Sequence, residues 1–179
     1  MEIWLHFRQQ ATITSMNESV KSPCKGILRD PVHWLAFGIG SGCMPAAPGT
    51  FGTLVAIPLY LLVQGLPLWI YLAVTLLLFI AGVWICGKTS EKLGVHDHSG
   101  IVWDEIVGYL VTMIAAPAGW VWIVIGFILF RIFDILKPWP IGVADKKLSG
   151  GFGIMFDDVI AGLFACAGLH FIAYTGVIQ

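Results

Sequence analysis

The sequence predicts an all-α, membrane-embedded helical bundle, and three observations lead to it. Hydrophobic residues make up 58% of the 179-residue chain and charged residues only 12%, where soluble domains carry about 25% charge. Residues 31–87 and 106–130 contain no Asp, Glu, Lys or Arg. The charged groups are instead gathered into short segments between the apolar runs, which suits helices crossing or dipping into a bilayer with polar loops outside it. A formal net charge of −1 and the lack of a basic, aromatic-interleaved stripe exclude a nucleic-acid partner.

Residues 1–30 carry Arg8, Lys21, Lys25 and Arg29 and read as a loosely ordered cytoplasmic arm. Their apolar start, Ile3–Phe7, is too short for a cleaved signal peptide. Residues 31–179 read as one domain. Within it, 31–52 are rich in glycine and proline yet uncharged, too broken for a regular helix. An apolar helix is expected over about 53–64, then a turn at Gln64–Pro67 and a longer helix over about 67–87. A third helix runs from Asp104 to Ala116 and a fourth from Trp120 to Leu136, separated by Pro117-Ala118-Gly119. Residues 138–156 read as a polar, Gly-rich loop and about 157–176 as the last helix, giving about five main helices. The 104–116 segment falls short of the ~20 residues that span a bilayer, so it dips rather than crosses.

The turns at 64–67 and 116–119 are uncharged, while Lys and Arg occur only in the arm, in 88–92 and in 131–147. If the helices pair as hairpins, every basic segment falls on one face, which the positive-inside rule makes cytoplasmic.

The polar motifs fall on that same face. His96, Asp97, His98, Asp104 and Glu105 crowd into ten residues between apolar flanks, a density too costly to desolvate unless it binds something. Asp104 and Glu105 open a helix; they either favour its dipole or share a cation. Arg131, Asp134 and Lys137 stand at i, i+3 and i+6 near a helix C-terminus, either as an ion-pair row or as a site where Asp134 meets a metal. Asp157 and Asp158 follow Gly150-Gly151-Phe152-Gly153 and open the last helix; N-capping explains one of them better than two. Asp145, beside Lys146 and Lys147, reads as a solvated surface acid. Gly49, Thr50, Gly52 and Thr53 precede a helix and can either cap it or offer backbone N–H groups to a phosphate.

Cys24, Cys43, Cys86 and Cys166 form no CxxC pair, which argues against zinc or a redox motif. Cys86 and Cys166 read as small core residues. Cys24 and Arg29 bracket four residues, one short of a cysteine phosphatase loop. Hard oxygen donors without thiolates favour Mg²⁺, and Arg131 and Lys137 suit a phosphate. A phosphate-bearing lipid head group is the natural ligand there.

The ordered segments SGCMPAAPGTFGT (41–53), HDHSGIVWDE (96–105), FRIFDILKPWPI (130–141) and GGFGIMFDD (150–158) resemble the bacterial phosphatidylglycerophosphatase A family from about Trp34 to Gly162. The resemblance implies a Mg²⁺-dependent hydrolase in the bacterial inner membrane that converts phosphatidylglycerophosphate to phosphatidylglycerol and inorganic phosphate. Thr50, His96, Asp97, His98, Asp104, Glu105, Arg131, Asp134, Lys137, Asp157 and Asp158 match motif positions.

The expected metal ligands are Asp104, Glu105, Asp134 and Asp158. His96, Asp97, His98, Arg131, Lys137 and Asp157 are expected in catalysis, and Gly49, Thr50, Gly52, Arg131 and Lys137 on the phosphate. Either a metal-bound water or an aspartyl nucleophile fits the attack. The rival of another class is a small transporter or cation-conducting protein using its acids. That rival wants acids within the spans, and here they gather at helix ends.

Overall fold

The computed structural model describes Cys24 and residues 30–177, so the arm expected over 1–30 lies almost wholly outside the described residues. Every regular element among them is helical: α1 (Pro31–Ala36), a 3₁₀ segment (Gly38–Cys43), α2 (Pro48–Val63), α3 (Leu68–Leu93), α4 (Trp103–Thr112), α5 (Trp120–Leu136), α6 (Ile141–Lys147) and α7 (Gly150–Thr175).

The short helix α4 is the hub. At ten residues it is about 15 Å long, yet Ile106 to Met113 are all buried, and α2, α3, α5 and α7 pack around it. Its closest neighbour is α7. A Cβ on Gly162 would overlap the Gly108 carbonyl, and one on Gly108 would lie 2.8 Å from the Asp158 carbonyl and 2.6 Å from the Phe130 ring. Only glycine lets the two backbones meet there, which is how helices associate where apolar burial offers no drive.

Several boundaries differ from the sequence expectation, among them the end of α3, which runs to Leu93 and not to about 87. Helix α2 starts at Pro48, five residues before 53, because Pro48 takes the first helical position, where its missing N–H costs nothing. Ala47 in a left-handed conformation precedes it, so neither Thr50 nor Thr53 is the cap; Thr53 Oγ1 instead donates to the Gly49 carbonyl at 2.9 Å. The 138–156 stretch is not a loop. It holds α6 and the first turns of α7, whose glycines serve helix crossing: a Cβ on Gly151 would overlap the Val83 carbonyl of α3. Helix α4 ends at Thr112, four residues early, and 31–43 contains α1 and the 3₁₀ segment.

Helices α3 and α7, at 26 residues each, are long and apolar enough to cross a membrane. Along α3 the large apolar side chains face outward, among them Leu68, Trp69, Leu72, Leu76, Ile80 and Trp84, while Thr75, Gly82, Cys86 and Thr89 face in. The inward hydroxyls are satisfied within the helix, Thr75 by the Tyr71 carbonyl at 2.9 Å and Thr89 by Ile85 at 2.8 Å. The two uncharged turns meet at one end of the bundle, where Gln64, Leu66 and Leu68 share a small cavity with Met113, Ala115 and Ala116. Tyr60, Tyr71 and Tyr109 lock that end edge to face, and Tyr71 Oη donates to the Leu110 carbonyl at 2.7 Å.

Of the cysteines, Cys24 and Cys43 form a disulfide that the sequence analysis did not foresee, tying the segment before α1 to the 3₁₀ turn. Cys86 is buried and free; Cys166 is free and half-buried.

Candidate active site

At the end of the bundle opposite the two turns, four helices converge on a cleft of about 330 Å³. Helix α2 brings Ala47, Pro48 and Gly49 to its wall, α4 brings Asp104 and Glu105, α5 brings Arg131, Asp134 and Ile135, and α7 brings Asp157 and Asp158. Lys137 follows α5, and the loop before α4 adds Asp97, Ser99 and Ile101.

Asp104, Glu105 and Asp158 form the floor. One carboxylate oxygen from each lies within 4.8 Å of the others. Asp104 and Asp158 are buried, at 7% and 3% exposure. Burial pushes the Asp104 carboxyl well above the ordinary carboxylate range, and the neighbouring Glu105 adds to it. Glu105 is raised by burial and then by Asp158. Asp104 Oδ1 and Glu105 Oε2 are buried without a hydrogen-bond donor. Carboxyl oxygens this close together are relieved by a shared proton or by a cation between them. Carboxylate oxygens alone make a hard donor set, so the cluster can hold a divalent metal.

Asp134 borders that trio, its carboxyl beside Asp158 and near Glu105. Arg131 Nη1, one turn earlier on α5, claims its Oδ2, and the same Nη1 lies 3.8 Å from Glu105 Oε1. The helical spacing that put Asp134 near the metal thus supplied it with a nearer counter-ion. Arg131 Nε is buried with no acceptor, a free donor beside the acids.

Lys137 departs from the expected row. Helix α5 ends at Leu136, and Lys137 takes a left-handed conformation (φ 41°) that swings it off the Arg131–Asp134 face. Its Nζ donates to Asp145 Oδ1 at 2.6 Å and Asp157 Oδ2 at 2.7 Å. Burial works against this charge, but the two carboxylates outweigh it and hold the Lys137 pKa above the lysine range. Asp145 is therefore not a solvated surface acid but a ligand of Lys137. The Pro138-Trp139-Pro140 reversal after Lys137 was the available signal, because it turns α6 back toward the end of α5.

Asp157 and Asp158 are not at a helix start; α7 begins seven residues earlier, so they are buried mid-helix groups and not caps. The glycine/threonine stretch contributes only Gly49. Thr50 spends its N–H on the Ala47 carbonyl at 2.9 Å, and Gly52 is packed against Val102. Gly49, at the second helical position, keeps an N–H that no helical carbonyl can accept.

The His-Asp-His segment divides. Asp97 lines the cleft; His96 and His98 do not. Left-handed backbone at Asp97 (φ 51°) turns it away from its neighbours. His96 Nε2 accepts from the Gly150 N–H at 3.1 Å, and His98 Nδ1 accepts from the Gly100 N–H at 3.0 Å while its ring packs on Phe37. Both histidines brace the loop that carries Asp97.

The family described as phosphatidylglycerophosphatase A matches residues 34–173. The phosphatidylglycerophosphatase A of Escherichia coli (strain K12) is 45% identical over 148 residues, covering 82% of this chain and 86% of the relative. That of Haemophilus influenzae is 47% identical over 156 residues, covering 86% and 96%. A Bacteroides thetaiotaomicron relative, provisionally named a phosphatidylinositol-3-phosphatase, is 43% identical over 137 residues, covering 72% and 84%. No solved structure matches the chain.

Proposed function

Since the chain belongs to the phosphatidylglycerophosphatase A family and is a phosphatase, we propose that it hydrolyses phosphatidylglycerophosphate with Mg²⁺ in the bacterial inner membrane, its cleft open to the cytoplasm. The observation that carries this reading is the joining of two chemistries in one cleft: unpartnered carboxylate oxygens of Asp104 and Glu105, and cations Arg131 and Lys137 beside them.

Asp104, Glu105 and Asp158 would hold the ion. Bound there, Mg²⁺ supplies Lewis-acid polarisation of the phosphoryl oxygens. Arg131 and Lys137 bind the phosphate oxygens and offset their charge. The Gly49 N–H adds a neutral donor at the α2 N-terminus. Asp134 keeps Arg131 oriented. Asp97 and Asp157 are the remaining carboxylates of the cleft, placed to accept a proton from an attacking water or to attack the phosphorus themselves. Attack by water breaks the bond between phosphorus and the lipid oxygen and gives inorganic phosphate, the lipid oxygen leaving as the hydroxyl of phosphatidylglycerol with the proton the carboxylate took from that water. Attack by an aspartate breaks the same bond, the leaving oxygen takes its proton from solvent, and a water then cleaves the acyl phosphate. His96 and His98 enter as braces of the Asp97 loop.

The outward apolar face of α3 and the two membrane-length helices support a bilayer location. Lys88, Lys92, Arg131 and Lys137 lie toward the site end, which supports a cytoplasmic cleft. Among the described residues most of the acids also gather at that end, around the cleft, which weighs against a conducting protein.

The test is phosphate release from phosphatidylglycerophosphate in detergent micelles, with Mg²⁺ and then EDTA, with phosphatidylinositol 3-phosphate as the comparison substrate. Mg²⁺-dependent release preferring the glycerol lipid supports the proposal. Release only from the inositol lipid would reassign the substrate, and release untouched by EDTA would remove the metal. A trapped phosphoenzyme would mark an aspartyl nucleophile, and its absence would favour water.

A further inference from the structure

The Lys137 ammonium has three N–H donors in tetrahedral array, and two of them are already committed, to Asp145 and Asp157 at 2.6 and 2.7 Å. The two acceptors differ in kind. Asp157 is buried and lines the cleft; Asp145 is outside it, on α6. The local chain fixes Asp145 closely. Ile141, at the start of α6, is fully buried, and its N–H bonds the Pro138 carbonyl at 2.8 Å. A Cβ on Gly142 would lie 2.9 Å from the Lys137 carbonyl, so glycine there lets α6 close tightly on the residue whose side chain it holds.

We propose that Asp145 is a positioning residue, its carboxylate clamping Lys137 against Asp157 so that the third N–H of the ammonium is presented to a phosphate oxygen in the cleft. The proposal rests on the lipid-phosphatase reading for the identity of that phosphate, but the clamp itself is a property of the chain. Without Asp145 the ammonium keeps one anchor and rotates about it, so phosphate binding suffers more than turnover. Asn at the same position retains a carbonyl acceptor at similar reach and restores the orientation.

Two measurements on the full chain in detergent test this, using wild type, Asp145→Ala and Asp145→Asn. The first is the rate of reductive methylation of Lys137 relative to Lys88, read by mass spectrometry. Loss of a charge-assisted, partly exposed hydrogen bond should speed Lys137 labelling about tenfold in Asp145→Ala, with Asp145→Asn intermediate. The second is steady-state phosphate release at saturating Mg²⁺. There Asp145→Ala should raise KM about tenfold with kcat within about threefold, and Asp145→Asn should recover most of that KM. Wild-type labelling of Lys137 in Asp145→Ala overturns the clamp. A fall in kcat at unchanged KM overturns the positioning role. If the wild type hydrolyses no lipid phosphate, the functional reading fails, while the labelling arm still decides the clamp.

Discussion

Gly49 and Glu105 face each other across the cleft so closely that a Cβ on Gly49 would overlap Glu105 Oε1, with Arg131 Nη1 only 3.1 Å away. The first turn of α2 and the first turn of α4 are thus fitted around one carboxylate, and that carboxylate belongs to the acidic trio. Gly49→Ala tests this fit. The methyl cannot be absorbed by a flexible tip without moving Glu105 off its neighbours, and an error of about 1 Å in such a site costs on the order of 100-fold in rate. Phosphate release should fall by about that much. Overpacking this buried position costs about 1–3 kcal/mol, so the melting temperature should also fall, by on the order of 5 °C, with the fold retained. Unchanged activity would mean that Glu105 is not held in place by this contact.

Metal binding should register as stability. If Asp104, Glu105 and Asp158 share Mg²⁺, an ion at about 100 times its Kd stabilises the fold by about 2.7 kcal/mol. That corresponds to a rise in melting temperature on the order of 5–10 °C for a chain of this size. Asp158→Asn should abolish most of that rise. In EDTA the variant should be at least as stable as wild type, because it removes one of three like charges crowded in a buried place. Thermal unfolding in detergent with and without Mg²⁺ reads both effects. An undiminished Mg²⁺ response in Asp158→Asn would remove Asp158 from the ligand set.

The acidic pairs of α4 and α7 and the Arg131–Asp134 pair were legible in the sequence, because charge in an apolar chain stands out whatever the fold. Their grouping was legible too, since two uncharged turns at 64–67 and 116–119 leave the polar segments on one face. What stayed hidden is set by long-range packing. Gly150–Gly153 reads locally as a loop, and only contact with Val83 and Gly87 of α3 makes it helix. Asp145 reads as a surface acid until α6 folds back onto Lys137. The histidines drew attention by composition, but side-chain direction in a loop depends on φ at Asp97, which no periodicity reports.

At the turn end the same packing should matter for stability alone. Tyr71 is buried and its Oη donates to the Leu110 carbonyl, a polar link from α3 to the C-terminal half of α4. Tyr71→Phe removes this bond and leaves that buried carbonyl short of a partner, which costs about 1–3 kcal/mol. The melting temperature should fall by several degrees. Initial rates at 25 °C should stay within about twofold, since the cleft lies at the opposite end of the bundle. A large loss of activity without loss of stability would show that the two ends are coupled.

The sharpest separation between sequence expectation and structure concerns His96, Asp97 and His98. Composition alone makes the histidines the obvious proton acceptors. The structure gives each imidazole a backbone N–H, from Gly150 and Gly100, and turns Asp97 into the cleft. A residue that moves a proton in the reaction contributes about 10²–10⁴ in rate. A brace lost from a loop costs about one hydrogen bond, or roughly 0.5–1.5 kcal/mol, spread between stability and geometry. His96→Ala and His98→Ala should therefore each retain activity within about tenfold of wild type. Asp97→Asn should lose 100-fold or more while folding normally. The measurement is kcat/KM for the three variants under identical lipid and Mg²⁺ conditions. If either histidine variant falls as far as Asp97→Asn, imidazole returns as the proton acceptor, and the loop must reorganise when the lipid phosphate enters.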